Sequence, residues 1–88
     1  MNTKEARKVV DYYNAQRYKL DRLCEISPVS SMAQRREEGI VKFGVNWFAL
    51  GTTSTENTMK FIAQLAEASV ICQNLNNENI SAKEWEEY

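Results

Sequence analysis

Apolar residues recur at helical spacing through the first 25 positions: Val9, Tyr13, Leu20, Leu23 and Cys24 gather on one side of the wheel, with Lys4, Arg7, Asp11 and Arg22 opposite. Asn2 or Thr3 offers a capping side chain and Glu5 falls in the first turn, so the pattern predicts a helix from about Thr3 to Glu25. Ser27-Pro28-Val29-Ser30 ends it, because the residue before a proline is pushed out of the α region.

The stretch from Gly39 to Gly51 carries two periods at once. Read with period two, Val41, Phe43, Val45 and Trp47 alternate with Lys42, Gly44 and Asn46, as in a half-buried strand. Read with the helical period, Ile40, Phe43, Trp47 and Leu50 form one stripe, while Val41, Val45 and Phe48 form a second. A lone strand leaves its backbone N–H and C=O groups without partners, and no other run alternates convincingly. A helix satisfies its own backbone. The expectation is therefore a helix opening at the capping box Ser31-Met32-Ala33-Gln34 and closing at Gly51, although Gly39, Gly44, Val41 and Val45 are poor helix formers. A strand over 40–48 would have to pair with its own copy or with a foreign chain.

Thr53-Ser54-Thr55-Glu56 is a second capping box and opens a helix to about Leu75, with Phe61, Leu65, Ala68, Cys72 and Leu75 on its buried stripe. Only Gly51 and Thr52 separate it from the preceding helix, a spacing that implies an antiparallel hairpin. Ser81-Ala82-Lys83-Glu84 is a third box, with Ile80 and Trp85 at the positions of a hydrophobic staple. The predicted fold is thus all-α: an N-terminal helix, a two-helix hairpin and a short C-terminal helix, divided into a helical domain at 1–77 and an acidic tail at 78–88.

Composition narrows the function more than it names it. Eighty-eight residues with 43% hydrophobic content suit one small domain, a size at which oligomerisation often supplements a limited core. No run reaches the ~18 apolar residues of a membrane span and Met1-Asn2-Thr3-Lys4-Glu5 has no apolar signal core, so a cytoplasmic protein without membrane contact is expected. There is no histidine, which removes the usual component of catalytic triads and of most transition-metal sites. Cys24 and Cys72 read as small buried hydrophobes rather than as a redox or metal pair. The expectation is a non-enzyme with no cofactor and no metal. Residues 1–77 hold ten Lys/Arg against eight Asp/Glu, whereas 78–88 hold Lys83 against Glu78, Glu84, Glu86 and Glu87. That imbalance is too small for duplex-DNA binding.

Several residues stand out against this background. Tyr18 falls among the cations of the first helix, and Tyr12 flanks the core beside Lys8 and Lys19. Rings beside Arg17, Lys19 and Arg22 suit a base stacked over tyrosine with phosphates on the cations. The plain alternative is a tolerated surface tyrosine at 18 and a boundary residue at 12. Arg36 lies in line with Ile40, Phe43 and Trp47, placed for a carboxylate or phosphate, or else for an ion pair with Glu37 or Glu38. Thr52, Thr53 and Thr55 bring hydroxyls to a helix start, where anions bind and where capping alone would also place them. Val41, Val45, Phe48, Val70 and Ile71 give the middle helices apolar character on more than one face, and a homo-oligomer is expected from it.

The N-terminal helix followed by a tight hairpin, with Ser54-Thr55-Glu56 leading into Gln64-Leu65-Ala66-Glu67-Ala68, resembles the phage anti-CBASS cyclic-oligonucleotide sponges and the related anti-Thoeris hairpin proteins. The match covers residues 54–68 with a one-residue shift, and departs from the family where a tryptophan follows, since this chain has Val70-Ile71-Cys72. The resemblance implies a helical oligomer, in the host cytoplasm if phage-encoded, that sequesters cyclic di- or trinucleotide signals between subunits without chemistry. Two other functions stay open: a small inhibitor or adaptor that docks a host protein through an apolar face and the acidic tail, and, less favoured by the low basicity, single-stranded RNA binding.

Overall fold

The computed structural model describes residues 1–29, 39–48 and 54–87. Among the described residues three helices and two strands follow in the order α1 (Thr3–Lys19), β1 (Cys24–Pro28), β2 (Phe43–Trp47), α2 (Thr55–Asn77) and α3 (Ala82–Glu86). The two strands form one antiparallel sheet in the register Cys24↔Trp47, Ile26↔Val45, Pro28↔Phe43. The fold is α+β, which overturns the all-α expectation.

The correction has a definite cause. Phe43–Trp47 follows the period-two reading, and its partner is the run Cys24-Glu25-Ile26-Ser27-Pro28, whose own alternation puts Cys24 and Ile26 inside and leaves Glu25 and Ser27 half-exposed. The sequence pattern alone assigns that run to the end of the first helix and its stop signal. The helix ends at Lys19 instead of Glu25: the Leu20 N–H bonds back to the Arg17 carbonyl, and Asp21 takes a left-handed φ of 68° that turns the chain into β1. The predicted antiparallel two-helix hairpin is therefore not formed. The proposed start of its first helix, Ser31-Met32-Ala33-Gln34, and its end at Gly51 lie outside the described residues.

Other local signals act as expected. Asn2 caps α1, its Oδ1 accepting from the Glu5 N–H at 2.9 Å while the Glu5 carboxylate accepts from the Asn2 N–H. Ser81 caps α3 at its expected place, whereas α2 is capped by Ser54, whose Oγ accepts from the Asn57 N–H, one residue beyond the start that the Thr53–Glu56 box gives. Ile80 and Trp85 are both buried, as a staple requires.

Both long helices lie against the sheet face that carries Cys24, Ile26, Phe43 and Val45. Ala6, Val10 and Tyr13 from α1 and Ala68, Cys72 and Leu75 from α2 complete this core, together with Ile80, Ala82 and Trp85. Trp85 meets Phe43 edge to face at 5.0 Å, and the Arg7 guanidinium covers the indole at 3.8 Å while donating to the Trp85 carbonyl at 2.6 Å. Thr3 adds a hydroxyl bond to Glu84 at 2.8 Å. The segment read as an acidic tail thus belongs, through its apolar residues, to the same core. Gly44 admits Val29 across the sheet, because a Cβ there would stand 2.6 Å from Val29 Cγ1.

A two-stranded sheet is marginal on its own, and both of its outer edges need partners. In an antiparallel ladder alternate residues point their N–H and C=O away from the neighbouring strand. The bonds Phe48 N–H to Leu23 and Val29 N–H to Lys42 place Ile26 and Phe43 among those outward residues. Two asparagine amides meet them. Asn14 of α1 accepts from the Ile26 N–H and donates to its carbonyl, both at 2.9 Å. Asn76 of α2 does the same to Phe43, at 2.7 and 3.1 Å. Beyond β2 the edge continues as residues 39–41 pair with 80–82, through Val41 N–H to Ile80 at 2.8 Å and Ala82 N–H to Gly39 at 3.3 Å.

Replacing either asparagine by alanine strands a part-buried N–H and C=O. Asn14→Ala and Asn76→Ala should each cost about 1–3 kcal/mol in urea unfolding, and each kcal/mol should lower Tm by about 4–8 °C. Removing residues 78–88 should abolish the cooperative unfolding transition seen by circular dichroism, since Ile80, Ala82 and Trp85 leave the core with it.

Candidate functional site

Among the described residues an open groove of about 560 Å³ lies between α1 and α2. Lys8, Tyr12 and Gln16 follow one another at i, i+4 and i+8 along its α1 wall, and Val9, Tyr13 and Arg17 form the adjacent row. Glu67 and Ile71, four residues apart, supply the α2 wall. The groove exists because the sheet beneath sets the helices apart, leaving Val9 and Ile71 half-buried.

Tyr12 is 69% exposed, so one ring face is free for a flat partner. Arg17 reaches across to the Glu67 carboxylate at 3.5 Å and lies 5.3 Å from the centre of the Tyr13 ring. Its Nε is buried with no hydrogen-bond partner among the described residues. Lys8 is exposed at the other end. The arrangement thus offers two cations, a stacking surface and an apolar floor, with a single carboxylate that Arg17 already offsets.

Tyr13 is the fixed side of the groove. Its hydroxyl donates to the Gln64 carbonyl at 3.3 Å, and burial pushes its pKa up to about 12, against a smaller opposing pull from Arg17. Gln64 is itself buried, and its Oε1 has no partner among the described residues. The Cys24 and Cys72 thiols are free and buried, and burial raises both pKa values, which keeps them protonated and poor nucleophiles.

The structure divides the residues singled out from sequence. Tyr12 and Arg17 share the groove. Tyr18 and Arg22 do not: six positions separate Tyr12 from Tyr18, about 240° around a helix, which sends the second ring to another face. There the Arg22 guanidinium sits 5.5 Å from the Tyr18 ring and 4.7 Å from Phe48, and is paired with Glu25. Those three contacts hold Arg22 internally, while Tyr18 stays 72% exposed. Lys19 is exposed at the last position of α1, and Thr55 is exposed at the first position of α2. Neither reaches the groove. Arg36, Thr52 and Thr53 lie outside the described residues. Gln16, Glu67 and Ile71 were not anticipated, because only the tertiary fold brings α2 beside Tyr12 and Arg17.

Comparison with family models, curated proteins and solved structures finds no match. The functional reading therefore rests on the residues themselves. Among the described residues no group of three His, Cys, Asp or Glu is placed to hold a metal ion, and no helix is long and apolar enough to cross a membrane.

Ultraviolet titration should show one tyrosine ionising only near pH 12, and Tyr13→Phe should remove that late step. A phenol whose pKa is higher folded than unfolded stabilises the fold fully below the unfolded value. That contribution should fade as pH rises from about 10 to about 12, read as a falling urea midpoint that Tyr13→Phe flattens.

Proposed function

We propose that this protein is a non-enzymatic binder that holds a small anionic ligand with a flat ring, of the cyclic di- or trinucleotide class, in the groove between α1 and α2, and that it works as a homo-oligomer. The observation that carries the reading is the exposed Tyr12 ring beside Arg17 and Lys8 above the apolar pair Val9 and Ile71. A base would stack on Tyr12, and phosphate oxygens would accept from the exposed Lys8 ammonium and from the Arg17 guanidinium at the groove wall. A groove of about 560 Å³ falls within the range typical of small-molecule sites.

Sequestration is the biological role we infer for a groove of stacking, cationic and apolar surfaces whose Glu67 carboxylate is paired with Arg17. The resemblance to the hairpin sponges falls with the two-helix hairpin, since Phe43–Trp47 is a strand, and the groove's own residues alone support this reading. Docking of a host protein through the acidic tail is less favoured, because Ile80 and Trp85 are committed to the core.

Titration calorimetry against a panel of cyclic di- and trinucleotides should give saturable binding to at least one member. Tyr12→Ala should weaken it by about 1–3 kcal/mol, as for loss of one base–aromatic stack, with the circular dichroism spectrum unchanged. Added salt should weaken binding further, in proportion to phosphate contact. Absence of heat from every panel member at micromolar concentration would contradict the proposal.

A further inference from the structure

Helix α2 is apolar on two opposite sides. Gln64, Ala68, Cys72 and Leu75 face the core, whereas Met59, Ile62, Ala63, Ala66 and Val70 face outward. Met59 is 61%, Ile62 53% and Val70 57% exposed, so this outer stripe has no cover among the described residues. Met59, Ala63, Ala66, Val70 and Gln73 repeat at intervals of four, three, four and three, the seam of a heptad pattern. No charged side chain interrupts the seam between Met59 and Gln73. Lys60 and Glu67 border it on one side, Ile62 and Ser69 on the other.

We propose that a second copy of this chain covers the outer face, the two α2 helices pairing antiparallel about a twofold axis between Ala63 and Ala66. In that register Ala63 of each copy meets Ala66 of the other, and Met59 meets Val70. The small residues fall at the centre, where they let the helices approach to the close end of the usual 8–10 Å. Charge complementarity selects this orientation. Lys60 of each copy comes alongside Glu67 of the other, twice by symmetry. A parallel pairing would set Lys60 near Thr55 and Glu67 near Ile62, with no ion pair. Lys60 now contacts Glu56 of its own helix at 3.6 Å, an exposed pair that it can exchange at little cost. Glu67 also borders the groove, so the pairing brings Lys60 of the second copy to the groove rim.

The pairing does not rest on the ligand reading, and its test uses the full chain without ligand. Light scattering across a concentration series reaching about 100 µM should give twice the chain mass. Ala66→Glu, at an exposed position, should give a monomer with an unchanged circular dichroism spectrum. Lys60→Glu should weaken association by about tenfold, and adding Glu67→Lys should restore it. Under mild oxidation a mixture of Ala63→Cys and Ala66→Cys chains should form a mixed cross-linked dimer, while neither variant alone should. A wild-type monomer throughout, a dimer that survives Ala66→Glu, or cross-linking of Ala66→Cys with itself would each overturn the proposal.

Discussion

The fold depends on how the outer edges of a two-stranded sheet are satisfied. Ile26 and Phe43 turn their N–H and C=O groups outward, and a part-buried amide left without partners costs more than a single hydrogen bond returns. A side-chain amide presents an N–H and a C=O side by side on one edge, so Asn14 and Asn76 each meet the outward C=O and N–H of one residue as a neighbouring strand would. Because one amide comes from α1 and the other from α2, the same bonds that close the sheet also fix both helices against it.

That anchoring has consequences at a distance. Asn14 sits near the C-terminal end of α1 and Asn76 near that of α2, which sets where each helix crosses the sheet. Between them the Tyr13 hydroxyl and the Arg17–Glu67 ion pair join the two helices above their shared core, and the groove opens beside these contacts. Tyr12, Lys8 and Arg17 owe their common orientation to this frame. The far end of the chain closes the other side: Trp85 packs on Phe43 and beneath Arg7, tying α3 to β2 and α1 at once.

Local chemistry was legible in the sequence, and pairing was not. The caps at Asn2 and Ser81 depend on neighbours within four residues and act where their spacing indicates, while α2 is capped at Ser54, one residue beyond the start that the Thr53–Glu56 spacing gives. The strand at Phe43–Trp47 shows the limit, because its alternation was visible while its partner was hidden. Cys24 continues the helical stripe of Tyr13 and Leu20 as readily as it alternates with Ile26, and nothing before Pro28 announces the left-handed turn at Asp21. Half of the groove was legible for the same reason. Tyr12 and Lys8 lie one helical turn apart, but Glu67 and Ile71 become their neighbours only through the sheet. Asn14 and Asn76 read as ordinary polar helix residues, since a side-chain amide that stands in for a strand has no sequence period.

Amide hydrogen exchange followed by NMR, in a dilute sample, tests the central claim most directly. The Ile26 and Phe43 N–H groups, which a bare two-stranded sheet would leave to solvent, should exchange as slowly as those of the core helices, and Asn14→Ala should release Ile26 while Phe43 stays protected. Rapid exchange at both positions in the unaltered protein would contradict the account.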